Sequence, residues 1–342
     1  MKSSTTELNN SQFLKYSHTI GLCTMLGRGF MFPSDTAIAS DGKLFTVSRG
    51  HPGDLRTRRV TSFDTDSQFY GVFGEHGEGY GQFIWPSAIA VDRDDNIYIS
   101  DEYTNRINIF DKTGKSITHW GESGDKIGHF RGPSGMAFDS DDNLYIADHG
   151  NHRIQKFTKD GEYLTHFSSK GSKDGQLELP WGLSLDKLNN VYVANWRNDR
   201  IEKFSPEGIF LRYFGSSGNG DGQFNRPSSV AIDMEGYMYI ADWGNERVQI
   251  LDCDGAFVTK LRGSATVSKW AKEFLETNVE EADARSVSDL EPDLTQFNGD
   301  PHEESAHTEK FFWGPSSVKL DENNSLYVTE SNRHRIQIYE RN

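Results

Sequence analysis

Gly132 to Phe157 reads GPSGMAFDSDDNLYIADHGNHRIQKF, and this stretch decides the fold because most of the chain repeats it. It contains two alternating apolar runs on either side of an Asp/Asn turn, then a polar loop and a third alternating run. Alternation of apolar and polar residues between such turns is typical of short antiparallel strands. The stretch therefore predicts three strands and two turns in one unit.

The proline that opens this unit recurs along the chain at a nearly constant distance. Its spacings are 53, 47, 47, 47 and 88 residues, and its positions are Pro33, Pro86, Pro133, Pro180, Pro227 and Pro315. A fixed period near 47 residues indicates a repeat architecture. Six copies of one β unit favour a single closed domain over the two domains that 342 residues would otherwise suggest.

Composition agrees with many short strands, because 33 glycines and 12% aromatic residues suit tight turns and packed sheets. The two cysteines, Cys23 and Cys253, are too few for a disulfide framework and fit a reducing compartment. The sequence shows no signal-peptide pattern and no apolar run long enough to span a membrane. We therefore expect a cytoplasmic protein without a membrane partner.

The two ends of the chain are predicted to meet. Residues 1–15 are polar and without period, which predicts a disordered tail. The segment Thr19 to Gly21 ends twelve residues before Pro33, where the fourth copy has the end of its last strand, whereas the final copy, ending at Tyr339, has only three strands. We expect residues 16–21 to supply its fourth strand and close a single domain over 16–342, which removes open sheet edges.

The period breaks between the fifth and sixth copies, at residues 264–311. Apolar residues here follow helical spacing over about three turns, at Val267, Trp270, Ala271, Phe274 and Leu275. A weaker second helix is predicted over 279–290, and the rest is interpreted as loop. Residues 264–310 carry twelve acidic and four basic side chains, so −8 of the net charge of −15 lies in this insertion.

The polar loop of the unit carries a family resemblance. It reads DEYTNRI from Asp101, DHGNHRI from Asp148, NWRNDRI from Asn195, DWGNERV from Asp242 and ESNRHRI from Glu330. These segments, with the proline entry and the Asp-containing turn, resemble NHL repeats, and six of them resemble the six-bladed NHL β-propeller. The resemblance covers residues 16–342 apart from the insertion and implies an all-β fold.

The same resemblance leaves the function open. Proteins of this kind include RNA-binding tripartite-motif proteins, sensor domains of bacterial kinases and the peptidyl-α-hydroxyglycine α-amidating lyase. An acid followed by an arginine five residues later recurs as Asp101/Arg106, Asp148/Arg153 and Asp242/Arg247. One pair used repeatedly indicates a structural solution, so functional residues are sought where the copies differ.

The positions that differ are expected on one face of the propeller, around the central channel. The residue after the repeated acid is, in order, Arg49, Glu102, His149, Trp196, Trp243 and Ser331, and the residue after the proline is Ser34, Ser87, Ser134, Trp181, Ser228 and Ser316. Concentrated tryptophans indicate a ligand or partner surface. Trp85 and Trp313 are instead expected to pack between blades, and His152 and His334 are expected to be solvated.

The first hypothesis is binding of a small-molecule ligand or a protein partner at this face. Its predicted ligand-binding residues are His51, Trp181, Trp196, Arg197, Trp243, Trp270, Ser331 and Arg333. The insertion is expected to form a lid or rim over the channel mouth. The alternatives are a helix docked on the outer wall or on a second subunit.

The second hypothesis is an enzyme, a lyase or hydrolase acting on a small carboxylated substrate as the family resemblance suggests. His149 and Glu102 would act as acid and base, and Arg49 would hold the anionic group. A metal version would bind zinc or calcium through His51, His129 and His149, with His302 or His307 from the insertion. No HExxH motif or paired-cysteine spacing supports it, and the channel-facing positions after the prolines hold Ser or Trp.

RNA is disfavoured as a partner. RNA binding requires a basic face with stacking aromatic residues, and here an acidic insertion borders the face. The candidate basic patch consists of Arg49, Arg56, Arg58, Arg59, Arg197 and Arg333.

Overall fold

The repeated unit folds as an antiparallel sheet of four strands, and residues 13–342 form six such sheets, or blades. These are the residues that the structure, a computed structural model, describes. The N-terminal strand pairs with the last strand of the chain, Gly21 with Arg335 and Leu14 with Arg341, so the predicted six-bladed propeller and its closure are confirmed. The strand begins at Leu14, two residues before the predicted start, and the first twelve residues of the predicted tail lie outside the described residues.

The blades are numbered by the proline that opens the innermost strand. The strands of blades 1 to 3 are Pro33–Ile38, Leu44–Ser48, Arg59–Phe63, Phe69–Phe73; Pro86–Val91, Ile97–Asp101, Arg106–Phe110, Ser116–Trp120; and Pro133–Phe138, Asn143–Asp148, Arg153–Thr158, Tyr163–Phe167. Those of blades 4 to 6 are Pro180–Leu185, Val191–Asn195, Arg200–Phe204, Phe210–Phe214; Pro227–Ile232, Met238–Asp242, Arg247–Leu251, Phe257–Leu261; and Pro315–Leu320, Leu326–Glu330, Arg335–Arg341, Leu14–Gly21. Two short parallel pairs lie in the connectors, Glu75–His76 with Gln82–Phe83 and Ser216–Ser217 with Gln223–Phe224.

The apolar core is divided among the seams between neighbouring blades. In the seam of blades 3 and 4, for example, Tyr145, Ile154 and Leu177 are fully buried and pack with Phe204. Alternate strand residues face each seam, which is why the apolar alternation predicts the fold. Each such side chain contributes about 1.5–3 kcal/mol when removed from water.

In blades 3, 5 and 6 the repeated acid and arginine bond to each other and to the connector before the blade, whereas in blade 2 Arg106 donates to the carbonyl of Glu78 and not to Asp101. Asp148 accepts hydrogen bonds from the backbone N–H of Arg131 at 2.8 Å and from Nε of Arg153 at 2.8 Å. Arg153 also donates to the carbonyls of Lys126 and His129 at 2.6 and 2.8 Å. The pair is buried and fully bonded, which confirms its structural role.

Blade 4 satisfies the same network with acid and amide exchanged. Asn195 occupies the aspartate position, and Glu202 stands where blades 3 and 5 have Gln155 and Gln249. The Asn195 amide donates to Glu202 at 3.0 Å, and Arg200 donates to the same carboxylate at 2.8 Å. Blade 4 therefore keeps one carboxylate beside one guanidinium, as blades 3 and 5 do, although its carboxylate has moved by seven residues.

A second repeated contact clamps five of the six blades to the next. The residue before the repeated arginine has a left-handed backbone, with φ from 50° to 57°, and its side chain accepts a hydrogen bond from the residue that precedes the next blade's proline. The pairs are Asn105 with Gly132, His152 with Leu179, Asp199 with Arg226, Glu246 with Gly314, and His334 with Phe32. The expectation that His152 and His334 are solvated was therefore wrong, because both imidazoles accept backbone hydrogen bonds at the seams.

Blade 1 has no such clamp toward blade 2. Its loop of residues 49–58 is six residues longer and has no left-handed residue except Gly50. The residue before the next proline is Trp85. Its backbone N–H donates to Asp101, the repeated acid of blade 2, at 2.9 Å, and its φ is negative. This difference turns Trp85 toward solvent, where half of it is exposed.

His334 makes the clamp between blades 6 and 1 sensitive to pH. Its Nδ1 must be unprotonated to accept the Phe32 N–H at 2.9 Å, and burial lowers the pKa of His334 to about 4. The unfolded chain, with a histidine pKa near 6.5, binds the proton first as pH falls, so this contribution to stability is present above pH 6.5 and is lost toward pH 4. We expect a loss on the order of 3 kcal/mol from this group, measured as the free energy of unfolding across that range.

His334→Asn is the matched control, because blade 2 uses Asn105 at this position with the same left-handed φ. The asparagine keeps the acceptor and does not titrate. The variant should lose less stability than the wild type between pH 6.5 and 4, and identical pH profiles would disprove the role of His334.

The insertion contains three helices, α1 (Lys269–Thr277), α2 (Val279–Ser286) and α3 (Pro301–His307). The first two were predicted, whereas α3 lies in the stretch interpreted as loop. Trp270 of α1 is fully buried among Phe30, Phe63 and Ile336 in the seam of blades 6 and 1, and its Nε1 donates to the carbonyl of Ser67 at 2.7 Å. The insertion thus packs at the rim of the propeller.

The two cysteines form no disulfide with each other. Both Cys23 and Cys253 are free and exposed. Within residues 13–342, no helix combines the length and apolar character that crossing a membrane would require.

Candidate functional site

A cavity of about 560 Å³ lies at the face of the propeller where the innermost strands begin. Four tryptophans line it, Trp85, Trp181, Trp196 and Trp243, together with Phe32, Pro33, Pro52 and Ile84. Beneath it, between the innermost strands, lies a much smaller cavity of about 20 Å³. The larger cavity forms a cup at this face of the propeller.

The tryptophans reach this cup from different parts of the repeat. Trp196 and Trp243 each begin a 3₁₀ turn directly after the buried Asn195 or Asp242, whose bonds to the preceding connector hold the loop in place. Trp181 follows Pro180 on an innermost strand, where five blades have serine. Trp85 is the fourth tryptophan of the cup, and it is free to face the cup because no side chain of blade 1 clamps the residue before Pro86.

Arg49 is the best-connected charged residue at the wall of the cup. Its Nη2 donates to Ser87 Oγ at 2.8 Å and also to Glu102, and the Ser87 hydroxyl donates to the same carboxylate. The guanidinium lies over the rings of Trp85 and Trp181, with its Cζ at 5.8 and 5.4 Å from their centroids. Arg49 is thus held in one orientation between two indoles.

His149 lies beside this group and behind Trp181. The two rings make an edge-to-face contact at 5.0 Å between centroids, and Nδ1 of His149 is buried without a hydrogen-bond partner. Burial lowers the pKa of His149, which keeps the imidazole neutral near pH 7, and the nearby Glu102 only partly opposes this effect. The structure therefore brings the predicted residues Arg49, Glu102 and His149 together, but only Arg49 lines the cup.

The charge of the lining is positive. Arg58 lines the cup as well, donates from Nε to the carbonyl of Arg49 at 3.3 Å and contacts His76 Nδ1 at 2.9 Å. The described residues that line the cup include no Asp, Glu, His, Cys or Lys. The cup can therefore hold an apolar body and donate hydrogen bonds from guanidinium groups.

The serine hydroxyls that line the cup donate hydrogen bonds to backbone carbonyls of the propeller. Ser228 donates to the carbonyl of Pro315 at 3.1 Å, and Ser316 donates to the carbonyl of Thr329 at 3.3 Å. Ser331, predicted as a ligand-binding residue, also lines the cup and donates to the carbonyl of Gly314 at 3.3 Å. Their hydrogens are used within the fold, so they face the cup mainly as acceptors.

Four predicted ligand-binding residues do not line the cup. Trp270 is fully buried in a blade seam, and Arg333 donates to the carbonyls of Ser305 and Ala306 at the end of α3. Arg197 is exposed and stacks on the side of Trp196, and His51 is exposed and accepts the N–H of Gly53. No residue of the insertion lines the cup either, so within residues 13–342 it borders the face rather than covering the cup.

The predicted metal ligands are not brought together. The one group of three or more His, Cys, Asp or Glu ligand atoms within 4.8 Å of each other in residues 13–342 is Asp92, Asp94 and Asp142, which excludes His51, His129 and His149. The Lys159 ammonium already contacts Asp94 and Asp142, at 2.8 and 3.4 Å. This acidic group lies in the turns that follow the innermost strands, at the other end of the blades.

Phe32 was not among the residues predicted to bind a ligand, and Arg58 was named only in the candidate RNA-binding patch, yet both line the cup. Trp85 was expected to pack between blades, which is wrong because it is half exposed and lines the cup. The available signal was the longer loop of blade 1, which removes the clamp that would hold residue 85. Phe32 is fixed by His334, whose ring meets it edge-to-face at 4.7 Å.

Comparison with known families agrees with this architecture. The NHL repeat model matches residues 130–157 and 312–339, which are the repeats of blades 3 and 6. This chain is a six-bladed β-propeller in which two of the six repeats match the NHL repeat model. No curated protein sequence matches it significantly.

Solved structures similar to this propeller share its fold at low sequence identity. A gluconolactonase from Xanthomonas campestris is 14% identical with a TM-score of 0.60, and the match covers 97% of this chain and 96% of that one. A streptogramin B lyase structure is 12% identical with a TM-score of 0.57, covering 98% and 100%. A protein of unknown function from Bacteroides thetaiotaomicron is 19% identical with a TM-score of 0.60, covering 96% and 73%.

Proposed function

We propose that this propeller is a small-molecule-binding protein whose ligand occupies the tryptophan-lined cup. The observation that carries the proposal is the lining itself, four indoles and two guanidiniums around about 560 Å³. Ligand sites are typically concave, mostly apolar and 300–1,000 Å³ in size, with a few polar groups that fix orientation. A protein partner is the less suitable ligand, because the volume of the cup is that of a small-molecule site.

Binding is favoured over catalysis by the state of the ionisable groups. A general acid or base must reach the substrate within hydrogen-bond distance. Glu102 is already bonded to Arg49 and Ser87, and His149 stands behind Trp181. Neither lines the cup, so neither side chain meets a ligand held there.

A lyase or hydrolase remains the second candidate function, and a specific observation favours it. Glu102 lies close enough to His149 to oppose the lowering of its pKa, and His149 packs against Trp181, which lines the cup. The fold is also shared by a gluconolactonase and a streptogramin B lyase. Steady acid release from gluconolactone that His149→Ala abolishes would support catalysis, whereas binding without turnover supports the first proposal.

The proposal is tested with a neutral aromatic probe, 2-naphthamide. With 13 non-hydrogen atoms at about 0.3 kcal/mol each, a fitting probe should bind with a Kd of about 1 mM or tighter. Trp243→Ala removes one wall of the cup and should weaken binding about tenfold, because a stacked ring loses its partner. Isothermal titration calorimetry gives both constants.

Tyr80→Ala is the matched control, since Tyr80 is 72% exposed and does not line the cup. Its Kd should equal that of the wild type. Equal weakening by both variants, or absence of binding to the folded wild-type protein, would refute the proposed function.

A further inference from the structure

We infer that the ligand of the cup is an anion, a flat ring that carries a carboxylate, with the ring between the indoles and the carboxylate on Arg49 and Arg58. This inference rests on the proposed function and adds the chemical class of the ligand. The evidence is that each of the two arginines has a terminal nitrogen that makes no hydrogen bond with residues 13–342.

Each guanidinium keeps a terminal nitrogen unused. Arg49 bonds through Nη2, and Arg58 bonds through Nε and Nη1. Nη1 of Arg49 and Nη2 of Arg58 make no hydrogen bond with residues 13–342, and neither is among the enclosed unpaired atoms. Since both side chains line the cup, these N–H groups are available to a ligand acceptor.

The charges around the two arginines are unequal. Glu102 balances the charge of Arg49, and the partner of Arg58 is the imidazole of His76. No carboxylate lines the cup within the described residues, so the charge of Arg58 has no balancing acid in the lining. A carboxylate from the ligand would supply it through charge-assisted hydrogen bonds, which guanidinium groups favour.

A cationic ligand is disfavoured although tryptophan cages often bind cations. The faces of three indoles already meet guanidinium groups: Arg49 lies over Trp85 and Trp181, and Arg226 lies 5.1 Å from the centroid of Trp196. A ligand cation would be repelled by these groups. The local preference for an anion is the opposite of what the net charge of −15 would suggest for the whole molecule.

The aromatic ring of the inferred ligand is argued from the indoles that line the cup. Trp85 directly precedes blade 2, Trp181 and Trp196 belong to blade 4, and Trp243 belongs to blade 5, so indoles line the cup from three different blades. Aromatic walls favour flat partners, which lose little conformational entropy on binding. A ring system with one carboxylate therefore satisfies both the walls and the guanidiniums.

Three probes of one shape test this inference, 2-naphthoate, neutral 2-naphthamide and 2-naphthylmethylammonium. Calorimetry on the full-length protein should show 2-naphthoate binding about tenfold or more tighter than 2-naphthamide, and the ammonium probe binding weakest. Arg58→Gln should reduce the naphthoate advantage, measured as the ratio of the naphthamide and naphthoate Kd values in the same variant, to about threefold or less. Arg56→Gln is the matched control, because Arg56 is exposed, pairs with Asp54 and does not line the cup.

The outcomes separate this inference from the proposed function. Equal binding of naphthoate and naphthamide, tighter binding of the ammonium probe, or an unchanged ratio in Arg58→Gln overturns the anion inference and leaves the cup as a ligand site. Failure of all three probes to bind the folded protein overturns both.

Discussion

Trp270→Ala is expected to lower the free energy of unfolding by about 3–5 kcal/mol and to leave probe binding unchanged. Trp270 is fully buried in the seam of blades 6 and 1, so truncation removes its packing with Phe30 and Phe63 and leaves a cavity. Its Nε1 bond to the Ser67 carbonyl is lost as well. Denaturant unfolding measures the first effect, and calorimetry with 2-naphthamide measures the second.

Val287→Ala is the control for this prediction. It lies in the same insertion, is 85% exposed and should change stability by less than about 0.5 kcal/mol. If Trp270→Ala were as stable as the wild type but bound the probe weakly, Trp270 would be a ligand-binding residue, as the sequence alone suggested.

Asn195→Asp is expected to be the most harmful single change in the repeated networks, costing about 3 kcal/mol. It would place a second carboxylate against Glu202, which is fully buried and lies 3.0 Å from the Asn195 amide. Burial already raises the pKa of Glu202, so a neighbouring negative charge would force one of the pair to bind a proton. Thermal or denaturant unfolding near pH 7 measures the loss.

The double variant Asn195→Asp with Glu202→Gln should recover most of that loss. It recreates the arrangement of blades 3 and 5, where Asp148 pairs with Gln155 and Asp242 pairs with Gln249. The cycle of single and double variants should therefore show a strong favourable coupling. A double variant no more stable than Asn195→Asp would mean that the acid and the amide are not exchangeable.

Much of the fold could be predicted because strand periodicity is local. The alternation in each unit, the 47-residue period and the missing fourth strand of the last copy together indicate six blades and their closure. The helix around Trp270 was also visible from its apolar spacing. In contrast α3 has no apolar stripe, since Ser305 is its one buried residue, and its signal was the cap formed by Asp300 before Pro301.

The site was only partly predictable, because it depends on contacts between blades. Trp181, Trp196 and Trp243 were found because they interrupt a repeated pattern at positions that face the channel. Trp85 does not interrupt the pattern in this way, and its exposure depends on a missing clamp that requires knowledge of backbone conformation. Trp270 was misplaced for the opposite reason, since the helical spacing shows an apolar face but not the seam that covers it.

The most direct test of the central claim is fluorine NMR of the protein labelled with 5-fluorotryptophan and titrated with 2-naphthoate. The chain has seven tryptophans, so each signal can be assigned by single replacement. The signals of Trp85, Trp181, Trp196 and Trp243 should move with one common Kd, while those of Trp120, Trp270 and Trp313 stay in place. Movement confined to the latter three would place the ligand outside the cup and contradict the account.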